Sequence, residues 1–236
     1  MDYDAAAFAE RGAVLFPAVL DAEAVAALAG DFDPVLAGGR PGRRLTGGRW
    51  AGLLHDGPLG RIAAAIIGDS AQPVRVILFD KTPETNWGVA WHQDRTIAVR
   101  QRKETKGFGT WSVKDGIVHV EPPIDILDGM VTLRLYLDDC GDDNGPLKLV
   151  LGSHQLGVIP ADRAAGLAEV LPVQVCTAKA GDVWACATPI LHASEAASKP
   201  GRRRVLQVDY AAVNLPEDLE WRGVNEGDSP NAAGEV

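Results

Sequence analysis

Two hydrophobic patterns divide the chain. In the first 73 residues, apolar positions mostly recur at the spacing of amphipathic helices, and residues 4–36 predict a helix, a short strand and a second helix. Asp21 is a candidate N-cap for that second helix, because its side chain can accept hydrogen bonds from the free amides of a first turn. Another helix is predicted over residues 59–67, ending at Gly68.

From Val74 onward the pattern changes to short runs rich in β-branched residues, separated by turn signals. About eight strands are predicted, at residues 74–79, 89–92, 117–120, 131–137, 147–150, 173–175, 182–187 and 203–213. Eight strands suit a double-sheet jelly roll, so a mainly β fold with flanking helices is expected. Asp143-Asn144-Gly145 is a hairpin turn signal, and the glycine- and arginine-rich residues 38–48 predict a loop.

These patterns predict one domain over residues 1–236. It comprises a mainly helical part (1–73) packed on the sheet, a β core (74–214) and a C-terminal tail (215–236) whose last ten or so residues fray.

Composition narrows the function. The formal charge of −9 argues against binding to nucleic acid or to an anionic membrane, although it leaves room for a local basic pocket. The three cysteines have no paired spacing, which favours a reducing compartment. The acidic start lacks a cationic leader, and no apolar run is long enough to span a bilayer. The chain is therefore expected to be a soluble cytoplasmic protein that acts on a small molecule as a monomer or homodimer.

His92 and Asp94 are the first candidate site residues. Residues two apart on a strand project to the same side, so this pair can grip one metal ion. Because the bulky Trp91 and Val89 alternate with His92, the histidine is expected on the opposite face from both. His-x-Asp is a short motif, and an exposed ion pair at a strand end is the competing interpretation.

The remaining histidines differ in their surroundings. His55, His119 and His154 each have a structural explanation: a helix entry, a strand core and a tight turn that bonds backbone. His192 instead follows an apolar run at the far end of a strand, so it can supply a second imidazole. Two histidines and one carboxylate form the ligand set of non-haem Fe(II) oxygenases.

Several segments, taken in order, resemble the phytanoyl-CoA dioxygenase family of Fe(II)- and 2-oxoglutarate-dependent oxygenases, over nearly the whole chain. The matching segments are residues 8–14 with 20–23, Trp91-His92-Gln93-Asp94, residues 137–139 with 144–147, Gly152-Ser153-His154, residues 180–183 and His192-Ala193-Ser194 followed by an arginine.

The resemblance implies a double-stranded β-helix, which is a jelly-roll and cupin-like core. It also implies Fe(II) held by His92, Asp94 and His192, with 2-oxoglutarate as cosubstrate and O2 as oxidant. In the family, an arginine about eleven residues after the distal histidine pairs with the distal carboxylate of 2-oxoglutarate. That offset selects Arg203, whereas strand periodicity alone leaves Arg202, Arg203 and Arg204 open. Ser194 matches a hydroxyl that touches the same carboxylate.

The implied reaction is oxidation of a small metabolite with release of succinate and CO2. Related halogenases lack the carboxylate at the position of Asp94, so hydroxylation, or another oxidation such as desaturation or ring closure, is expected here. The polar segment from residue 95 to 120 is expected to cover the iron site and to contribute to substrate choice. The candidate substrate contacts are Lys81, Asn86, Trp87, Arg95, Trp111 and Arg134.

Arg134 departs from the family pattern, in which an aromatic or aliphatic residue is usual. It can bind a second anion in the pocket, or lie outside as a paired surface charge. Two alternatives to the whole assignment remain: a cupin-like metal enzyme that does not use 2-oxoglutarate, and a metal-binding module without activity. The first would not need Arg203 and Ser194 at their offsets from His192, and the intact set of His92, Asp94 and His192 argues against the second.

Overall fold

A computed structural model describes residues 3–37, 41–45, 50–217 and 219–224. In these residues the helices are α1 (Ala5–Arg11), α2 (Ala22–Leu36), α3 (Ala51–Leu54), α4 (Pro58–Ile67), α5 (Ile124–Asp128) and α6 (Ala161–Val170). The strands are β1 (Ala13–Phe16), β2 (Gly42–Leu45), β3 (Gln72–Lys81), β4 (Val89–His92), β5 (Ile97–Val99), β6 (Gly109–Lys114), β7 (Ile117–Glu121), β8 (Met130–Tyr136), β9 (Leu147–Val150), β10 (Val173–Cys176), β11 (Val183–Ala187), β12 (His192–Ser194) and β13 (Arg203–Ala211). No described helix is long and apolar enough to cross a membrane.

The strands form three antiparallel sheets. A six-stranded sheet has the order β1-β11-β8-β13-β3-β2, and a four-stranded sheet has the order β10-β9-β12-β4. A smaller sheet, β5-β7-β6, adjoins them. The two larger sheets make the jelly-roll core, so the predicted fold class is confirmed.

The six-stranded sheet has an apolar outer face and a mixed inner face. On β13, Leu206, Val208 and Tyr210 lie in the hydrophobic cluster that includes Phe32 of α2 and Ile62 of α4. The alternate residues of β13 point inward, because successive side chains on a strand face opposite ways. The helices thus cover one face of the sheet, as the resemblance implies, and leave the other free to build a cavity.

The N-terminal elements begin and end where the sequence predicts. Asp21 caps α2, since its carboxylate accepts a hydrogen bond from the Ala24 amide at 2.9 Å, and Gly68 follows the last residue of α4. The part described as mainly helical also contributes two strands: β1 pairs with β11 at one edge of the six-stranded sheet, and β2 pairs with β3 at the other. β2 lies inside residues 38–48, so the loop prediction is wrong there; residues 38–40 and 46–48 lie outside the described residues.

The turn at residues 143–145 does not join a hairpin. The strands before and after it, β8 and β9, belong to different large sheets, so this turn carries the chain from one sheet to the other. Asn144 stabilises the connection from the side, because its Oδ1 accepts a hydrogen bond from the Gly201 amide at 3.1 Å. A local turn signal does not reveal which strand the following segment will pair with.

Two further segments differ from expectation. Residues 95–120, predicted as a covering loop, contain β5, β6 and most of β7, which pair with one another. The segment after residue 214 packs rather than trailing as a tail: Leu215, Leu219 and Trp221 are buried against the small sheet. The last ten residues, predicted to fray, lie outside the described part of the chain.

Candidate metal centre

Strand pairing brings the two candidate histidines together. β12 lies antiparallel to β4 with His192 directly opposite His92, and their ring centroids are 4.3 Å apart. Asp94 follows the end of β4, with its Oδ1 3.9 Å from the His92 Nε2. Ligand atoms of His92, Asp94 and His192 all lie within 4.8 Å of one another, close enough to share one ion.

The backbone fixes which nitrogen each imidazole presents. His92 Nδ1 donates to the Ala90 carbonyl at 2.8 Å, and His192 Nδ1 donates to the Ile190 carbonyl at 2.9 Å. A ring whose Nδ1–H is held in this way presents Nε2 as the free lone pair, which is how ligating histidines are usually oriented. Both rings therefore carry the tautomer that a metal ion requires.

Gln93 anchors the segment between the two neighbouring ligands. Its amide donates to the Gly157 and Pro189 carbonyls at 2.9 and 2.7 Å. Its oxygen accepts from the Ile159 amide at 2.8 Å. Because alternate residues of an extended segment face opposite ways, these bonds aim His92 and Asp94 into the cavity.

A buried arginine network supports Asp94 from behind. Arg75 Nη2 lies 3.5 Å from Asp94 Oδ2, and Arg75 Nε donates to Asp209. Asp209 also accepts from Thr132 Oγ1 at 2.9 Å and from Gln207 Nε2 at 3.2 Å. No local motif marks Arg75; the signal that could reveal it is its position on the same face of β3 as Lys81, six residues away.

The protonation states suit a divalent cation. Burial on its own would raise the pKa of Asp94, but the charge of Arg75, followed by His192, Arg134 and His92, holds it well below its ordinary value. Burial lowers the pKa of His192 to about 4, although Asp94 opposes that change. At neutral pH the site offers a carboxylate and a neutral imidazole, the forms that bind metal. The donor set thus fits Fe(II), with coordination positions left for other ligands.

A second cluster lies at the other end of the cavity. Arg203 on β13 is buried and donates to the Gly145 carbonyl, and its buried Nε has no hydrogen-bond partner within the described ranges. Ser194 Oγ donates to the same carbonyl at 3.0 Å. Lys81, directly opposite Arg203 on β3, donates to the Glu195 carbonyl at 2.8 Å and lies 3.5 Å from Ser194 Oγ. Two buried cations and a hydroxyl without a carboxylate among them fit a bound anion.

Burial, together with the charge of Arg203, lowers the pKa of Lys81 to about 8. Lys81 is fully buried and does not line the open cavity, so its place is beside the predicted cosubstrate anchor rather than among substrate contacts.

The three candidate metal ligands line one cavity of about 410 Å³ between the large sheets, together with Arg203 and Ser194 of the second cluster. Of the candidate substrate contacts, Trp87 and Arg134 line it. Val89 also lines it, on the same side as His92, which contradicts the predicted alternation. The reason is a register shift between β4 and β12. His92 pairs with His192 and Val89 pairs with Ser194, so β4 has one more residue than β12 between the two pairs. This extra residue breaks the regular alternation along β4.

The other candidates lie elsewhere. Arg95 pairs with Glu121 at 2.8 Å, and Trp111 belongs to the hydrophobic cluster of the small sheet, since residues 95–120 fold as strands. Asn86 bonds the backbone of Ala197 through both its donor and its acceptor. None of these three lines the cavity, so their proposed role as substrate contacts has no support in the structure.

The remaining histidines occupy structural positions. His119 is fully buried on β7 and His154 lies 3.1 Å from the Ala9 carbonyl, while His55 follows α3. They lie outside the candidate metal centre.

A jelly roll with two histidines and a carboxylate at one end of its cavity belongs to the class of cupin-like metal-binding proteins. Residues 8–205 match the phytanoyl-CoA dioxygenase (PhyH) family model, so the chain belongs to that family, as predicted.

Relatives and similar structures agree with this assignment. The chain is 27% identical to an L-proline trans-4-hydroxylase of Streptomyces griseoviridis over 153 residues, which are 53% of this chain and 49% of that protein. It therefore spans about half the length of that curated relative. EctD from S. alaskensis aligns with a TM-score of 0.67 and 22% identity, covering 88% of this chain and 75% of that one. HygX from Streptomyces hygroscopicus, with nickel, 2-oxoglutarate and hygromycin B bound, aligns at a TM-score of 0.60 and 18% identity, with coverages of 86% and 84%. At these identities the structures establish the fold.

Proposed function

We propose that this chain is an Fe(II)- and 2-oxoglutarate-dependent dioxygenase that hydroxylates, or otherwise oxidises, a small organic metabolite. In the hydroxylation, substrate, O2 and 2-oxoglutarate give hydroxylated product, succinate and CO2, with one oxygen atom in the product and one in succinate. The observation that carries this proposal is the presence in one cavity of the His92–Asp94–His192 cluster and of Arg203 and Ser194, with Lys81 buried beside them.

Each residue has a defined part in the proposed reaction. His92, Asp94 and His192 would hold the iron and leave other positions open, while Arg203, Ser194 and Lys81 would hold the distal carboxylate of 2-oxoglutarate. When bound, iron and 2-oxoglutarate supply the activation of dioxygen. The surrounding strands exclude water and orient the substrate, and Asp94 fills the position that related halogenases leave vacant.

The relatives support a small substrate. The matching Streptomyces griseoviridis protein is a hydroxylase of L-proline, and the HygX structure holds hygromycin B. A cavity of about 410 Å³ lies toward the lower end of the range for small-ligand sites. We also propose that the protein works in a reducing compartment such as the cytoplasm, because its three cysteines are unpaired.

The competing function, a cupin-like enzyme that does not use 2-oxoglutarate, gives no reason for two buried cations beside Ser194. Succinate release separates the two. Protein reconstituted with Fe(II) and ascorbate is expected to convert 2-oxoglutarate slowly to succinate, even without substrate, in an iron-dependent way. Asp94→Ala and His192→Ala are expected to abolish this turnover, whereas the control His55→Ala retains it. Wild-type protein that binds Fe(II) yet releases no succinate would refute the proposal.

A further inference from the structure

Arg134 is a cation on the cavity wall that forms no ion pair with any acidic residue in the described part of the chain. It lies on β8, with its guanidinium carbon 6.0 Å from the centre of the Phe79 ring. Among the described residues, its side chain makes no ion pair and no hydrogen bond to protein. Of the other three arginines that line the cavity, Arg44 pairs with Asp115 and Arg75 with Asp209, while Arg203 belongs to the cosubstrate anchor. The first of the two possibilities for Arg134, a pocket position, is the one the structure adopts.

Charge balance leaves Arg134 unmatched after the cosubstrate binds. Lys81, Arg203 and Arg134 have no carboxylate partner among the described residues, and Asp94 offsets only part of a metal dication's charge. The two carboxylates of 2-oxoglutarate do not neutralise this total. Because Arg134 is half-buried and faces the cavity, a further anion that enters the cavity would be attracted to this charge.

Gln207 gives a second, independent sign of a ligand. It lies directly opposite Arg134 in the sheet and is 2% exposed. Its Nε2 donates to Asp209 at 3.2 Å, and this bond orients the amide. Its Oε1 is buried and has no hydrogen-bond partner among the residues that the structure describes, which is costly unless a bound molecule supplies a donor.

These groups are separate from the cosubstrate anchor. Gln207 lies four residues from Arg203 on β13, a distance of about 13 Å along a strand. Arg134 lies nearer the metal ligands, since its charge helps to lower the pKa of both Asp94 and His192. Directly opposed residues of an antiparallel pair have Cβ atoms about 5 Å apart. Arg134 and Gln207 can therefore reach adjacent groups of one small ligand.

We propose that the substrate is a small carboxylic acid with a hydrogen-bond donor next to its carboxylate, such as an α-amino or α-hydroxy acid. Arg134 binds the carboxylate and Gln207 accepts from the donor. This inference rests on the proposed function and names the substrate class of the same cavity. The cavity of about 410 Å³ suits such an acid beside 2-oxoglutarate.

Calorimetry with matched probes tests this proposal. Protein loaded with Co(II) and saturated with 2-oxoglutarate is titrated with L-proline, L-prolinamide and cyclopentanecarboxylate, and with the linear set L-norvaline, L-norvalinamide and pentanoate. In at least one set, the amino acid is expected to bind about 10- to 100-fold more tightly than its amide, the range for hydrogen bonds to charged groups. It is also expected to bind more tightly than the acid that lacks the amine.

Three variants show which residue is responsible for each binding preference. Arg134→Gln is expected to remove the preference for the acid over the amide, and Gln207→Leu the preference for the amine-bearing acid. Arg44→Gln, which alters an arginine already paired with Asp115, is expected to keep both preferences. Affinity for 2-oxoglutarate is expected to change less than threefold in Arg134→Gln.

Two results would overturn the inference. The first is that no acid in either set binds more tightly than its amide. The second is that Arg134→Gln weakens 2-oxoglutarate binding as strongly as Arg203→Gln does, since Arg134 would then bind the cosubstrate. A wild-type protein that fails to bind 2-oxoglutarate at all would instead refute the proposed function.

Discussion

At the scale of single residues, the candidate metal centre depends on groups that orient its ligands. Two backbone carbonyls set the tautomers of His92 and His192, and Gln93 fixes the extended segment between His92 and Asp94. Arg75 approaches the outer oxygen of Asp94 while pairing with Asp209. Mutation of such supporting groups typically lowers metal affinity by about 10- to 100-fold.

The Arg75–Asp209 pair provides a test of this support. Removing Arg75 alone would leave Asp209 as an unpaired buried charge, so the double variant Arg75→Gln/Asp209→Asn is the appropriate change. It removes one charge of each sign and so keeps the net charge of the site, while Asp94 loses both its contact with Arg75 and the charge that Arg75 places beside it. We expect Co(II) affinity, measured by titration, to fall by about 10- to 100-fold. The control Arg44→Gln should keep wild-type affinity; equal affinities in all three proteins would contradict this role.

Lys81 predicts how cosubstrate binding depends on pH. Its ammonium is mostly charged below its pKa of about 8 and mostly neutral above it, so its attraction to a carboxylate is lost as the pH rises through about 8. Calorimetry at successive pH values should show 2-oxoglutarate affinity falling above pH 8, by at most about tenfold per pH unit. The Lys81→Met variant should bind 2-oxoglutarate more weakly than the wild type, and its affinity should no longer fall above pH 8. A variant that keeps the wild-type pH profile would assign the titration to another group.

At the scale of elements, the turns explain why particular motifs are needed. Gly181 has φ +94° and faces the Leu20 carbonyl, which an added Cβ would approach to 2.2 Å. The next residue, Asp182, accepts hydrogen bonds from the Ala18 and Lys179 amides. Ser153 Oγ accepts from the Leu191 amide at 2.9 Å and so places the residue before His192. The family motifs outside the metal ligands thus hold the strands on which the ligands lie.

Gly145 lies in the turn between the two large sheets and also contacts the cluster of Arg203, Ser194 and Lys81. It has φ +60°, and a Cβ there would lie 2.6 Å from the Glu195 carbonyl and 2.8 Å from Lys81 Nζ. Gly145→Ala is therefore expected to destabilise the fold by about 1–3 kcal/mol and to weaken 2-oxoglutarate binding. Gly141→Ala is a matched control in the same turn, because its Cβ would meet only Asp143 Oδ1, at 3.4 Å. Thermal unfolding and calorimetry measure both effects; similar losses in the two variants would contradict this explanation.

Local pattern predicted the elements better than their partners. The periodicity around Asp21 and Gly68 located α2 and α4, and β-rich runs located most strands of the large sheets. The same patterns missed β2 and α6, whose sequences are rich in arginine or alanine, and misplaced Val89 because a register shift is not visible in one strand alone. Arg75 and Gln207 escaped notice because their importance arises from cross-strand contacts. Arg203 was selected by its family offset, since three consecutive arginines share one local pattern.

At the scale of the whole molecule, the proposed ligands bridge the two large sheets. His92 and His192 lie on the four-stranded sheet, whereas Arg203 lies on the six-stranded sheet. A molecule held by both the metal and Arg203 would link the two layers of the jelly roll. The acidic chain thus keeps a cationic cavity between the sheets, and net charge alone does not reveal it.

This bridging predicts cooperative stabilisation. Ligand at 100 times its Kd stabilises a folded protein by about 2.7 kcal/mol, so metal and 2-oxoglutarate should each raise Tm when they bind. Because the metal completes the site for 2-oxoglutarate, the increase with both should exceed the sum of the separate increases. In the Arg203→Gln variant, Co(II) should still raise Tm as in the wild type, whereas the further increase caused by 2-oxoglutarate should be mostly lost. Strictly additive shifts in the wild type would contradict the coupling between the two clusters.

The most direct test of the central claim is visible absorption spectroscopy of the Fe(II)-loaded protein under anaerobic conditions as 2-oxoglutarate is added. A 2-keto acid that binds Fe(II) through its carboxylate and keto oxygens produces a metal-to-ligand charge-transfer band. We predict that this band appears with one equivalent of 2-oxoglutarate, is absent in Asp94→Ala and His192→Ala, and requires much more 2-oxoglutarate in Arg203→Gln. Wild-type protein with Fe(II) bound but no band at saturating 2-oxoglutarate would contradict the assignment.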